Sequence, residues 1–210
     1  MGMLADFKLL EKHGFRLVPY KLAKTKEDAQ KFARKIKYPV VLKIVSPDII
    51  HKTEINGVRI GIKNDKMLGL EFEDIMESAR EKKIKVDGIL VQKMARKGLE
   101  LIIGGKKDEQ FGYMVVVGLG GIYVEVFRDI TARICPITKT DVAEMISELK
   151  AHPLIIGARG RKPINISSLE QLMIRVCRFM GKENIKELDL NPVVFDEKGC
   201  DIVDVRFRMD

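Results

Sequence analysis

Lys43 and His51 stand on either side of a polar turn in the stretch Tyr38-Pro-Val-Val-Leu-Lys43-Ile-Val-Ser-Pro-Asp-Ile-Ile-His51-Lys-Thr-Glu-Ile-Asn-Gly57-Val58. The lysine closes an apolar strand. An ammonium group buried without an anionic partner is costly, so a lysine placed there calls for an anion, and a triphosphate would serve. The histidine lies between charged neighbours. Near neutral pH it can exchange a proton or carry a phosphoryl group. Gly57 then opens a second apolar strand over 58–62. The same residues also read as a plain strand–loop–strand with an edge lysine and a solvated histidine.

A second constellation lies near the C-terminus. If Asp196-Glu-Lys-Gly199 forms the loop of a hairpin, Phe195 faces Cys200, Val193 faces Ile202, Asn191 faces Asp204 and Asp189 faces Arg206. Strand alternation then predicts all eight on one face, apolar toward the turn and polar at the open end. Magnesium takes hard oxygen ligands, usually one or two carboxylates together with substrate phosphates. Asn191 with Asp204 meets that demand, and Asp189 can assist. An ordinary Asp–Arg cross-strand pair remains the other reading.

Other features point elsewhere. Gly118-Leu-Gly-Gly121 follows a strand, but the strand-like Ile122-Tyr-Val-Glu-Val-Phe127 comes next, with no helix. That order lacks the strand–loop–helix context of a phosphate-binding glycine loop and predicts a tight turn. Glu125 beyond it has no assigned side. Gly157-Ala-Arg159-Gly-Arg161 is a basic loop suited to an anion, a partner chain or solvent. His13 and His152 read as structural. Cys135, Cys177 and Cys200 read as small apolar fillers, because an odd count without zinc spacing argues against a disulfide framework.

These residues need a scaffold. Helices are expected over 4–13, 25–36, 65–82, 138–149 and 167–180, with Thr25, Thr138 and Ser167 as caps. Strands are expected at 40–45, 57–63, 87–92, 99–104, 114–117, 122–127 and 133–135, then the closing hairpin. The chain of 210 residues divides into an N-terminal helix and extended segment (1–24), a first lobe (25–93) and a second lobe (94–210), with a hinge near 93–97. A net charge of +8 is dispersed, and aromatics are only 6%, which disfavours a nucleic-acid platform but suits polyphosphate ligands. No apolar run is long enough to span a bilayer, and no signal segment opens the chain. A cytoplasmic setting is expected, and the charged composition is of thermophilic type.

Taken together, these motifs resemble the nucleotide-binding β subunit of ADP-forming acetyl-CoA synthetases, ATP-grasp proteins of the succinyl-CoA synthetase kind. The likeness runs through Val18-Pro-Tyr-Lys-Leu-Ala-Lys-Thr25, the Tyr38–Asp48 strand, His51-Lys-Thr, Gly57-Val58, Val91-Gln-Lys-Met94, Phe111-Gly112, Gly118–Ile122, Arg159-Gly160 and Leu188-Asp-Leu-Asn-Pro192. It implies an α+β fold of two lobes with a nucleotide cleft between them. It implies that Lys43 holds nucleotide phosphates, that Gly57 and Val58 belong to the nucleotide site, and that Gln92, Lys93 and Met94 meet adenine largely through backbone. Glu100 would reach the ribose. Asn191 and Asp204 would ligate magnesium, with Asp189 where a glutamate is more usual. His51 would carry phosphate. Where the usual pattern has a second glycine before Gly57, this chain has Asn56, a residue that tolerates positive φ.

The implied activity is that of an acid–thiol ligase. Phosphate passes through phosphohistidine to ADP, giving ATP, acetate and CoA, with ATP/ADP and Mg2+ as cofactors. Nothing in the chain resembles a CoA-binding domain, so a CoA-binding α subunit is expected as partner, in an α2β2 hetero-oligomer active only when complete. Neither a membrane nor a nucleic-acid partner is expected. The alternatives are a self-sufficient ATP-grasp carboxylate ligase and a non-catalytic nucleotide-binding protein.

Overall fold

A computed structural model describes residues 3–48, 57–121, 129–158, 160 and 162–209. His51, the expected strand 122–127 with Glu125, and Arg159 lie outside these residues. The chain forms two compact units, Val18–Met94 and Met1–Leu17 with Ala95–Asp210.

The smaller unit is a four-stranded antiparallel sheet, ordered β1 (Tyr20–Ala23), β4 (Gly88–Lys93), β2 (Val40–Val45), β3 (Val58–Ile62). Helices α2 (Lys26–Ile36) and α3 (Asp65–Glu81) cover one face. Thr25 caps α2 by accepting the Asp28 N–H, and Asn64 caps α3 by accepting that of Met67. Ala29 and Ala33 of α2, with Leu68, Phe72, Ile75 and Ala79 of α3, recur at helical spacing and bury against Val40, Leu42, Ile44, Ile89 and Val91. On β3 the ladder shifts between the pairs Leu42–Arg59 and Val40–Ile62, and Gly61 there has φ +76°, which glycine adopts without strain.

The larger unit holds α1 (Met3–Lys12) and a sheet ordered β10 (Val205–Met209), β8 (Ile185–Asp196), β5 (Leu99–Asp108), β6 (Gly112–Leu119), β7 (Ile130–Ile134). Strand β9 (Gly199–Ile202) also pairs with β8. Helix α4 (Lys139–Glu148) opens with a full capping box between Thr138 and Asp141; the short α5 (His152–Ile155) and the long α6 (Ile166–Glu183) follow. Leu169, Leu172, Met173, Val176, Phe179 and Met180 line the buried side of α6. A Cβ at Gly105 would run into the Met180 sulfur, so glycine is what lets α6 sit flush on β5.

Several expectations change. The extended segment after α1 does not stand apart: β1 completes the smaller sheet, while α1 belongs to the larger unit. The cap of α6 is Asn165 rather than Ser167, because its carboxamide accepts the Ser168 N–H at 2.9 Å while its own N–H is held by Asp196. Cys135 and Cys177 are not fillers but a disulfide, with Cα atoms 5.7 Å apart across 42 residues. The fold brings the segment after β7 against α6, a proximity invisible in sequence spacing. Cys200 is free. Among the described residues, no helix is long and apolar enough to cross a membrane.

Candidate functional site

In the smaller unit, Val40, Leu42 and Ile44 point into the core beneath α2 and α3. Alternation therefore turns Val41, Lys43 and Val45 to the opposite face. Lys43 stands across from Leu90 on one side and Val58 on the other, and Val41 stands across from Gln92. Cross-strand partners share a face, so Lys43, Val58 and Gln92 lie together on the side away from the helices. Lys43 is only 5% exposed and Gln92 is fully buried. Gly57 fixes this corner by accepting the Ile44 N–H at 2.8 Å.

The segment Gln92–Met94 is tied into its own unit. The Lys93 and Met94 N–H groups donate to the carbonyls of Pro19 and Pro39 at 2.8 and 3.4 Å. The Lys93 ammonium donates to the Lys37 carbonyl at 2.5 Å, where α2 ends. A ligand at this segment would meet carbonyl oxygens, each of which has two lone pairs.

In the larger unit the expected hairpin register holds: Phe195 pairs with Cys200, Val193 with Ile202, and Asp189 with Arg206. The expectation of a single face does not. On β5, Leu101 pairs with Val193 and Ile103 with Leu190, so Asn191 and Pro192 together oppose Ile102. This β-bulge resets the alternation. Leu190, Val193 and Phe195 all enter the core, and so do Ile202 and Val205 opposite them. Asp189, Asn191, Asp204 and Arg206 are thereby turned to the other face, where they line a cavity of about 140 Å³.

Burial raises the Asp189 carboxyl above the ordinary range; Arg206 pulls it down and Asp204 pushes it up again. A divalent cation would relieve that crowding, because it favours the ionised carboxylates. Among the described residues, no three imidazole, thiol or carboxylate groups converge as a complete metal cage. Two carboxylates and a carboxamide are instead the partial set that suits magnesium when substrate phosphates complete it.

Glu100 precedes the core residue Leu101 and so lies on this same open face of the sheet. The glycine turn makes room for it. The Gly120 N–H donates to the Glu100 carbonyl at 2.8 Å, and a Cβ at Gly121 would sit 3.2 Å from Glu100 Oε2. One anchoring residue escaped the sequence reading. Asp129 is 7% exposed; its carboxylate accepts the N–H groups of Lys150 and Ala151 at 2.8 and 2.7 Å, and its carbonyl accepts that of Leu119. It thus joins the glycine turn to the start of α5. No local motif signals such a long-range cap.

Residues 4–209 match the ATP-grasp domain model. The chain is 44% identical over 202 residues to the acetate–CoA ligase (ADP-forming) I subunit beta of Pyrococcus furiosus, covering 95% of this chain and 87% of that protein. It is 41% identical to the acetate–CoA ligase (ADP-forming) I of Archaeoglobus fulgidus, covering 94% of this chain but 29% of that longer protein. The acetyl-coenzyme A synthetase 1 of Ca. Korarchaeum cryptofilum, in complex with coenzyme A and Ca-AMPCP, superposes with a TM-score of 0.94 at 38% identity, covering 100% of this chain and 93% of that one. Another structure of that protein holds Mg-AMPPCP with a phosphohistidine segment pointing towards the nucleotide site; its TM-score is 0.85 at 38% identity, covering 98% of this chain and 90% of that one. A lysine and a carboxylate cluster on helix-free sheet faces, a family match along nearly the whole sequence and this degree of identity agree: the chain belongs to the ATP-grasp family, among the β subunits of ADP-forming acetate–CoA ligases.

Proposed function

We propose that this chain is the nucleotide-binding subunit of an ADP-forming acyl-CoA synthetase, with acetyl-CoA as the acyl donor its relatives suggest. Lys43 neutralises nucleotide phosphate charge. Gly57 and Val58 border it, the 92–94 segment meets the base, and Glu100 meets the ribose. Asn191, Asp204 and Asp189 hold magnesium, which when bound draws off charge from the phosphate oxygens and fixes their geometry.

In the direction of ATP synthesis, a phosphoryl group moves from an imidazole nitrogen to a β-phosphate oxygen of ADP. The N–P bond breaks as the O–P bond forms, and the imidazole keeps the electron pair. His51 serves as a carrier on this chain. The thioester chemistry belongs to a CoA-binding α subunit, in an α2β2 assembly. In support, a relative of three times this length carries the same region within one chain.

The observation that carries this reading is the buried Lys43 ammonium on the face of the sheet opposite the helices. Calorimetric titration with ADP and Mg2+ tests it. Binding should weaken about 100-fold or more in Lys43→Ala, on the scale of a lost charge-assisted contact to phosphate, and should fall in Asp204→Asn. Unchanged affinity in both variants would remove the site. Synthetase turnover should require addition of the α subunit; full turnover by this chain alone would contradict the division of labour.

A further inference from the structure

Arg96 lies two residues past Met94, where the chain passes from one unit into the other. Its backbone N–H and Nε both donate to Asp201 Oδ2, at 2.9 and 3.1 Å, and Nη2 donates to Asp201 Oδ1 at 3.0 Å. Nη1 donates to Asp196 Oδ1 at 2.9 Å. That same Asp196 oxygen accepts the N–H groups of Lys198 and Gly199 in the β8–β9 turn. Gly98 presses on the hairpin too, since a Cβ there would run into the Phe195 carbonyl. A guanidinium fork and a backbone amide thus hold both strands of the hairpin at once.

Asp201 is three residues before Asp204, and Asp196 is five after Asn191. These short stretches include the bulge at Asn191–Pro192 and the break between β9 and β10, where Asn191 and Asp204 line the cavity. Free to slide or twist, the hairpin would carry the two oxygen ligands out of register. An exposed single ion pair contributes little to stability. This one is bidentate, has a backbone donor and fixes the turn as well, and such geometry acts through positioning.

We infer that Arg96 is a positioning residue for the magnesium site, setting the hairpin through Asp196 and Asp201 without touching the ligand. The inference rests on the nucleotide-binding reading above. The lysine that would preserve the charge lacks the planar fork and cannot hold both carboxylates in this way.

The test is calorimetry on the full chain with ADP, with and without Mg2+, alongside thermal melts. Arg96→Ala and the milder Asp201→Asn should weaken MgADP binding about 10- to 100-fold, as loss of supporting contacts around a metal does. Binding of ADP without metal should stay unchanged in both, and Arg96→Lys should not rescue. In an Asp204→Asn background, Arg96→Ala should add no further loss, because the two act through one site. Wild-type MgADP affinity in both variants overturns the inference while leaving the nucleotide site intact. Equal loss of metal-free ADP binding also overturns it, since Arg96 would then touch the nucleotide. A wild-type chain that binds no nucleotide sinks the functional reading and this inference with it.

Discussion

The backbone N–H of Asn191 donates to the carbonyl oxygen of Asp204 at 3.3 Å. Asn191 on β8 and Asp204, in the short break between β9 and β10, therefore stand opposed, held by a backbone hydrogen bond across the hairpin. The small movements that ligand geometry tolerates are set by that pairing, so perturbations of the hairpin should be read first in metal affinity.

Asp189 sets a pH dependence. Its carboxyl is raised in the fold, chiefly by burial. The folded state then binds more protons than the unfolded chain between the unfolded value of 3.8 and the raised folded value, so metal-free stability falls as pH rises through that window. Above both values the penalty is complete. Asp189→Asn should melt higher than wild type at pH 7 without metal, and the order should reverse in excess MgADP, which stabilises only the chain that binds it well. Identical melting curves at pH 7 in the absence of metal would show that the carboxylate carries no such penalty.

The Cys135–Cys177 bridge should be measurable as a thiol count. Denatured without reductant, the chain should expose one thiol, and three after reduction. Closing a loop of 42 residues is worth about 4 kcal/mol in the chain-entropy account, so reduction or Cys177→Ser should lower the melting temperature by several degrees. Burial pushes the remaining Cys200 thiol up to about 11, so it should alkylate slowly at pH 8 in the native chain. Three rapidly reacting thiols in the untreated protein would rule the bridge out.

Gly98→Ala should destabilise the chain by about 1–3 kcal/mol, the usual cost of overpacking. The added methyl meets the backbone carbonyl of Phe195 and the Val194 side chain, and backbone cannot swing aside. Gly112→Ala is a useful contrast. Its φ of +77° strains any side chain, but nothing lies within 4 Å of the new atom, so its cost is conformational alone. Chemical denaturation of both variants checks the pair; a Gly98→Ala chain as stable as wild type would mean that the hairpin and the 96–98 segment separate freely.

His51, proposed as the phosphate carrier, predicts an acid-labile, base-stable label on this chain when it is incubated with γ-labelled ATP and magnesium. His51→Ala should abolish both the label and turnover with the α subunit. A mutant that labels equally, or that retains overall activity, would exclude this histidine from the phosphoryl path.

Much of the scaffold is legible in the sequence because it depends on neighbours in the chain. The caps at Thr25 and Thr138, the stripe of α3 and the hairpin register set by Asp196–Gly199 are all local. Lys43 stood out for the same reason, as a charge inside an apolar strand. What escaped depends on distant partners. The bulge at Asn191–Pro192 exists relative to β5, some ninety residues earlier, and strict alternation put the polar end of β8 on the wrong face. The Cys135–Cys177 contact and the Arg96 fork each join segments that no spacing rule connects. Asn165 displaced Ser167 as a cap because Asp196 holds it in place, again a tertiary effect.

The doubled position on β8 behaves like a frame shift in the geometry of the strand. Just before it, Asp189 and Asn191 look outward; after it, the odd-numbered Val193 and Phe195 look inward. One strand can therefore serve two surfaces, and substitutions on either side of Asn191–Pro192 are uncoupled: Val193 and Phe195 answer to the core, Asp189 and Asn191 to the cavity. Removing a single residue at this point would not be absorbed locally. It would drive the Asp189 carboxylate into the hydrophobic interior or expel Val193 and Phe195 from it.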